Sequence, residues 1–221
     1  MKDMSESYLV AALLSVTGGF LDAYTFVSRD GVFANAQTGN FARLAIGIAN
    51  GSWEMAIRYL IPIIFFIIGV SVAIWISHRV PSNGYLHWKQ YTIILEIILL
   101  MIVSWIPYGK FSNICANILI SFTCAIQAES FRKVLGTPFA STMCTGNLRN
   151  ATEYINQFFI NKEKTFLQKS VQYFGIDILF VLDFENESIE KIKLPENAAY
   201  LFDSETEKLI NEMIAEAERD K

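Results

Sequence analysis

The sequence predicts an all-α polytopic membrane protein, a helical bundle of about four to six membrane segments. Of its 221 residues, 52% are hydrophobic, and the mean hydropathy is +0.33. Only 18% of the residues are charged, whereas a soluble domain has about a quarter. Four long apolar runs fall within the first 130 residues. A soluble all-helical protein could bury one such run, but four would leave it too little polar surface.

The four apolar runs are residues 8–27, 59–76, 91–108 and 112–128. A helix needs roughly 20 mainly apolar residues to cross a hydrocarbon core about 30 Å thick, and each run approaches or reaches that length. Tyrosine and tryptophan cluster at the ends of the runs, as is typical of a membrane interface. The first run is not predicted to be a cleavable signal peptide, because residues 1–7 are not basic and further runs follow.

Two shorter stretches, residues 38–50 and 145–160, each begin with the letters TGN. Aligning the two TGN motifs requires an offset of 107 residues, and the same offset places Asp22 on Glu129. Identity elsewhere is low, but a match that includes a rare intramembrane carboxylate favours an internal duplication. We therefore divide a membrane domain, residues 1–170, into repeat units 8–79 and 112–170, with an extra span at 91–108.

The distribution of positive charge predicts how the two units are oriented. If the N-terminus is cytoplasmic and the TGN helices do not cross fully, nine lysine and arginine residues of the membrane domain face the cytoplasm and four face outward. This excess agrees with the positive-inside rule. Three crossings then separate the two units, which makes them inverted repeats, an arrangement that recurs in secondary transporters.

The TGN motifs are candidate binding elements. Threonine and asparagine are good helix N-caps, and glycine permits a tight entry into a helix. We expect Thr38-Gly39-Asn40 and Thr145-Gly146-Asn147 to begin two short helices, whose free N–H groups carry partial positive charge. Facing each other, these ends would bind an anion or a polar solute. Alternatively, the motifs only cap two helices that pack together.

The two aligned carboxylates are candidates for an ion-coupling or proton-carrying pair. Charges within a span are costly and usually face the interior or a cavity, so Asp22 and Glu129 should do the same. Gln127 precedes Glu129 by two residues and could line the same cavity. The alternative is a structural ion pair with a nearby cation, and the cations available are Arg43, Arg132 and Arg149.

Other polar or small residues in the runs are expected to be structural. Glu96 has no counterpart in the repeat, and Gly18 and Gly19 should permit a close helix contact or a local break. The three cysteines lack C-x-x-C spacing, which argues against a disulfide scaffold or a zinc site. We find no nucleophile–base spacing and no basic stripe outside the membrane loops, so we predict no enzyme, metal, cofactor or nucleic-acid partner.

Several of these residues carry a resemblance to a known family. The stretches GGFLDAYTF and FANAQTGN, together with Gln127, Gly136 and STMCTGN, resemble the YoaK family of bacterial multi-pass membrane proteins over roughly residues 8–175. The resemblance implies a bacterial inner-membrane protein. Members are described as conserved membrane proteins of unassigned function, sometimes called permeases by analogy, so the resemblance implies no reaction or substrate.

The C-terminal part differs in charge from the rest. Residues 1–170 hold 13 basic and 9 acidic residues, a net of +4, whereas residues 171–221 hold 5 and 13, a net of −8. Alternating patches such as DILFVLDF predict strands, and residues 204–221 predict an amphipathic helix that begins with a capping box. We expect residues 171–221 to form a cytoplasmic tail, α/β-like or irregular, that is either an appendage or the replacement of a lost span.

These patterns favour a small secondary transporter or permease for a small polar or anionic solute or ion. The alternative is a membrane scaffold or regulator that recruits a partner through the acidic tail. In either case the lipid bilayer surrounds the protein, and a second copy of the chain is a candidate partner.

Overall fold

The computed structural model describes residues 7–80, 87–134, 137–138 and 144–182, which form seven helices and one pair of two-residue antiparallel strands. The elements are α1 (Tyr8–Ser28), α2 (Gln37–Ala49), α3 (Trp53–Arg79), α4 (Trp88–Ser104), α5 (Lys110–Ser130), β1 (Lys133–Val134), β2 (Thr137–Pro138), α6 (Cys144–Asn161) and α7 (Lys164–Leu182).

Three helices, α1, α3 and α5, are long and apolar enough to cross a membrane by their length and composition. The third predicted run forms α4, which is 17 residues long and shorter than expected. It begins at a capping box between His87 and Gln90 and ends at Ser104, shortly before Pro107, because the residue before a proline is disfavoured in a helix. The predicted helical architecture is therefore confirmed for the described residues, and its three long apolar helices are compatible with a membrane protein.

The outer faces of α3 and α4 are apolar and exposed. Each presents a series of large hydrophobic side chains, which include Ile57, Ile64, Ile68 and Ile74 on α3, and Ile94, Ile97, Ile98, Met101 and Ile102 on α4. Soluble monomers rarely expose contiguous apolar surface of this extent. The surface is compatible with contact to lipid.

Helices α1 and α5 run in opposite directions. The Gln127 side chain of α5 donates from Nε2 to the Leu14 carbonyl oxygen at 2.9 Å. At the other end of α1, Arg29 donates from Nη1 to Asn113 Oδ1 at 3.0 Å. Helix α4 also runs opposite to α5, because Lys89 Nζ near its start lies 6.0 Å from the ring centroid of Phe131.

Helix α3, in contrast, runs parallel to α5. Glu54 and Lys110, at the starts of the two helices, form an ion pair with an Oε1–Nζ distance of 2.6 Å. Further along, Gly69 of α3 packs against the backbone of Phe122 in α5. A helix pair with matching starts and a matching midpoint contact is parallel, so α1 and α3 are antiparallel. The segment that contains α2 therefore connects two helix termini, the end of α1 and the start of α3, that lie at the same end of the bundle.

Helix α7 runs parallel to α1. Near its middle, Ile176 packs with Ala11 of α1, and further along Phe180 contacts Gly19. The close contact predicted for the glycine pair of α1 is thus confirmed at Gly19, and α1 is continuous, without a break. Because the two helices are parallel, α7 ends at the end of the bundle opposite to the start of α1.

The predicted strand DILFVLDF is wrong for residues 177–182, which complete α7. The buried Ile176 packs on α1. This tertiary contact favours a helix there, although the alternating pattern of the sequence predicted a strand. The predicted boundary between residues 170 and 171 falls inside this helix. The amphipathic helix predicted at 204–221 lies outside the described residues.

Candidate functional site

A cavity of about 700 Å³ lies among α1, α2, α3, α6 and α7. Its volume is within the usual range for small-molecule sites, roughly 300–1,000 Å³. The wall is mostly aromatic and aliphatic, and it includes five phenylalanines, Phe26, Phe33, Phe41, Phe66 and Phe180. Asp22 is the one charged side chain among the described residues of the wall.

The two TGN motifs meet at this cavity. Thr38 of the first motif and Thr145 and Gly146 of the second all belong to its wall. Their position in the helices differs by one residue from the prediction, because α2 begins at Gln37 and α6 at Cys144. Each threonine therefore lies in the first turn, and the residue that caps α2, Ala36, makes no side-chain cap bond.

The asparagine of each motif is not among the residues of the cavity wall, and its hydrogen bonds fix a helix start. Asn40 is buried; its Oδ1 accepts from the Phe33 N–H at 3.1 Å, and its Nδ2 donates to the Phe33 carbonyl oxygen at 2.6 Å. Asn147 is also buried and donates to Asp177 Oδ1 at 3.1 Å. The first bond set ties the loop before α2 to α2, and the second ties α6 to α7.

Glycine allows the first motif to pack closely. A Cβ atom at Gly39 would lie 2.7 Å from the Phe33 ring, so Phe33 can keep its place in the wall only because residue 39 has no side chain. At Gly146 an added Cβ atom would meet no atom of the described residues within 4 Å. Within that part of the chain, nothing packs against this position at the start of α6.

Asp22 occupies a polar position inside the apolar helix α1. Its side chain is 6% exposed, and Oδ1 accepts from the backbone N–H of Asn35 at 2.7 Å. This bond fixes the loop before α2 against α1, which explains structurally why an apolar run contains a carboxylate. Because Asp22 also lines the cavity, its charge is available to a bound solute.

Asn35 is a cavity residue that the sequence reasoning missed. It is 1% exposed, and its Nδ2 donates to the Gly18 carbonyl oxygen at 2.9 Å. Its Oδ1 has no hydrogen-bond partner among the described residues, and buried polar atoms of that kind are uncommon in native proteins. The available clue was its place within FANAQTGN, between the carboxylate and the first TGN.

Glu129 and Gln127 are not brought to the cavity. Glu129 accepts from Arg132 at 3.2 Å, and Gln127 is fully buried against Leu14. Because Gln127 is level with Leu14 in the antiparallel pair α1–α5, Glu129 is level with residue 12 and lies about ten residues along the axis from Asp22, roughly 15 Å. The structure thus places the two predicted partners apart, and Glu129 has the structural ion pair that was the alternative.

The predicted charge partners Arg43 and Arg149 also lie outside the cavity wall. Arg43 donates to the Tyr59 hydroxyl at 3.1 Å, and its guanidinium carbon lies 5.1 Å from the ring centroid of Phe26. Arg43 is therefore held behind the wall by aromatic residues. Arg149 is exposed on α6.

The comparisons with known proteins reach the family level. A family model described as a protein of unknown function (DUF1275) matches residues 10–182. The match covers nearly all of α1 through α7, and with them both TGN motifs and every described residue of the cavity wall. No curated protein and no solved structure matches the chain.

Proposed function

The chain belongs to the DUF1275 family, whose function is unknown, and we propose that it is a membrane permease, a small secondary transporter for a small solute. The observation that carries the proposal is the cavity itself, where Asp22 and the starts of two helices from the two halves of the chain converge. Sites of this kind, at the meeting point of two repeats, are typical of secondary transporters. We propose no catalytic step, metal or cofactor for it.

We also propose that the two units are inverted repeats. Each consists of a long helix, a helix that begins around a TGN, and a further long helix. The packing supports this proposal, because each helix contact of one unit has an equivalent in the other. Helix α3 packs on α5 as α7 packs on α1, and α2 packs on α3 as α6 packs on α7. The directions agree as well, since α1 opposes α5 and α3 opposes α7.

The helix crossings support the same proposal in detail. Gly69 is the contact point of α3 with α5, and Phe180 is the contact point of α7 with Gly19 of α1. At the offset of 107 residues, Phe180 corresponds to Ala73, which is one helical turn from Gly69. The two crossings thus occupy equivalent places in the two units.

The remaining details of placement are part of the proposal. We propose a YoaK-type protein of the bacterial inner membrane with four to six membrane segments, a cytoplasmic N-terminus, surrounding lipid and, as a further partner, a second copy of the chain. The cytoplasmic excess of lysine and arginine supports this orientation.

Alternating access can be tested without a known solute. In a background with Cys115, Cys124 and Cys144 replaced by serine, Thr38→Cys and Thr145→Cys should each react with a membrane-impermeant maleimide added to either face of oriented vesicles. The reason is that a transporter exposes one central cavity to the two faces in turn. Trp105→Cys, which replaces an 86% exposed residue at the end of α4, is the matched control and should react from one face. Labelling of the cavity positions from one face alone would contradict the proposal.

A scaffold that recruits a partner through the tail is the second candidate, and the net charge of −8 in residues 171–221 supports it. A deletion that tests it must begin after residue 184, because a cut at 172 would remove the part of α7 that packs on α1. For a permease we expect the truncated chain to keep two-sided labelling of Thr38→Cys. Loss of partner capture in pull-down experiments, from a body that stays folded, would favour the scaffold instead.

A further inference from the structure

Glu96 is a buried carboxylate that the cavity does not account for. It lies in the middle of α4 and is 6% exposed, and its Oε1 has no hydrogen-bond partner among the described residues. Within the same part of the chain it forms no ion pair. A purely structural carboxylate is expected to have such a partner, as Glu129 has in Arg132. An ionised carboxylate without one is costly, and in a membrane segment a residue of this kind usually has a function.

The register of α4 against α5 places Glu96 beside Cys124. Lys89, near the start of α4, lies over the ring of Phe131, and the two helices are antiparallel. Seven residues forward on α4 and seven back on α5, Glu96 and Cys124 are therefore at the same level. The core agrees with this register, since Val103 of α4 and Cys124 belong to one buried cluster. The fully buried Cys124 side chain accordingly interacts electrostatically with Glu96.

Asp22 approaches the same thiol from α1. Cys124 interacts electrostatically with Asp22 as well as with Glu96. In the register of α1 against α5 described above, Cys124 is level with Thr17, so that five residues, roughly 8 Å, separate its level from that of Asp22. Glu96 is thus about half as far from Asp22 along the bundle axis as Glu129 is. The second carboxylate that accompanies Asp22 is therefore Glu96, and Cys124 lies between the two.

The two carboxylates have different surroundings. The Asp22 Oδ1 accepts from the backbone N–H of Asn35, and a donor of this kind stabilises the charged form of a carboxylate. Glu96 Oε1 has no donor among the described residues, and burial without a donor or a cation favours the protonated form. Pairs of carboxylates whose surroundings differ in this way divide the roles of charge carrier and proton carrier. Asp22, which lines the cavity, suits contact with a solute, and Glu96 suits a bound proton.

Among the described residues, the titratable groups that act on this region are few. Helix α5 contributes Cys124 and α1 contributes Asp22. On α4 itself, Lys89 and Tyr91 lie in the first turn. The titratable side chains of α3 lie in its first two turns and in its last turn, namely Glu54, Arg58, Tyr59, His78 and Arg79. Asp22 is therefore the charge whose removal should be felt at Glu96.

We infer that the proposed permease is coupled to protons, with Glu96 as the group that binds the coupled proton and Asp22 as the group that faces the solute. The inference rests on the proposed function and names its coupling ion. A proton from water adds to a Glu96 carboxylate oxygen and later returns to water at the opposite face, and no other bond changes. Because two buried negative charges oppose each other, the proton on Glu96 and the charge at Asp22 influence one another.

The first test is an infrared titration of the purified full-length chain in lipid nanodiscs, from mildly acidic to mildly alkaline pH. A protonated carboxyl group gives a carboxylic acid C=O band that disappears as the group ionises. We expect one such band, which Glu96→Gln removes and Glu96→Asp keeps at an altered frequency. Glu129→Gln, whose parent carboxylate is paired with Arg132, is the matched control and should keep the parental band. A band that survives in Glu96→Gln, or that does not titrate, would overturn the inference.

Asp22→Asn tests the link between the two carboxylates. The variant keeps an oxygen that can accept from the Asn35 N–H but removes the charge. Ionisation of Glu96 is then less strongly opposed, so its band should titrate at a pH lower by about half a unit or more. Titration of the band at the parental pH in this variant would overturn the pairing of Glu96 with Asp22.

Cysteine labelling separates this inference from the permease proposal. The ratio of Thr38→Cys labelling from the two faces, normalised to Trp105→Cys, should change with pH and should lose that dependence in Glu96→Gln. Two-sided labelling with a ratio that is independent of pH would support the permease and overturn the coupling. One-sided labelling beside a titrating Glu96 band would contradict the permease and support proton binding alone.

Thermal unfolding checks that each variant is folded. Should Glu96→Gln not fold, Glu96→Asp decides the result, because a band at the parental frequency in that variant would show that the proton is bound elsewhere.

Discussion

Replacing Gly69 with leucine is expected to prevent α3 from packing on α5 and to leave little folded protein. A Cβ atom at this position would lie 2.6 Å from the Phe122 carbonyl oxygen and 2.7 Å from the Ala125 Cβ atom. The first of these is a backbone atom, so relief requires a shift of the whole of α5. Overpacking of a close-packed interior costs about 1–3 kcal/mol, and more where the backbone must move. We expect loss of the monodisperse peak in fluorescence-detected size-exclusion chromatography.

The matched control for this change is Gly146→Ala, a substitution at a helical glycine where the added Cβ atom meets no described residue within 4 Å. It should keep the parental elution profile and unfolding temperature, because alanine is the better helix former. Gly19→Leu, at the equivalent crossing of α1 and α7, should fail as Gly69→Leu does. Parental unfolding temperatures for both leucine variants would show that these crossings do not hold the bundle together.

Replacing Arg29 with methionine is expected to lower the free energy of unfolding by about 3 kcal/mol or more, because loss of the buried guanidinium leaves several buried acceptors without a hydrogen bond. Arg29 is 2% exposed. Its hydrogen bonds, of 2.8–3.0 Å, go to the Tyr24 hydroxyl, the carbonyl oxygens of Ile106 and Pro107, and Asn113 Oδ1. Its guanidinium carbon also lies 4.3 Å from the ring centroid of Tyr108. These contacts join the end of α1 to the connection between α4 and α5.

Arg149→Met, at an exposed position of α6, is the control and should change stability by no more than about 0.5 kcal/mol. Arg29→Lys should recover only part of the loss, since an ammonium cannot reproduce the planar fork of donors. Thermal and denaturant unfolding in detergent measure both effects. If Arg29→Met and Arg149→Met unfold at the same temperature and denaturant concentration, the buried network contributes little to stability.

Hydropathy and the TGN repeat predicted much of this architecture. The apolar runs correspond to α1, α3, α4 and α5, because a long apolar helix is visible directly as an apolar run in the sequence. The convergence of the two TGN motifs followed from their repetition. Glu129 was misplaced because α5 begins at Lys110, five residues before the position that matches Tyr8 at the offset of 107. A linear offset cannot detect such a difference in helix start.

The buried polar network could not be predicted from the sequence. Arg29 follows an apolar run and has the pattern of a loop cation, and the groups that bury it come from residues 77 to 84 positions further along the chain. The role of Asn35 is likewise set by its hydrogen bonds to Asp22 and Gly18 of α1. In both cases the determining contacts are tertiary, and local propensity carries no trace of them.

The direction of helix α4 indicates its role between the two proposed units. It has no counterpart in the proposed duplication, and it runs against α5. If the two units are inverted repeats, as we propose, α4 is the single crossing that reverses the second unit, with α3 alongside α5 and α1 alongside α7. Without α4 between them, the two units would have the same orientation. Under the same proposal, an ancestor with one unit would have needed two copies inserted in opposite directions, and α4 would allow both units to belong to one polypeptide.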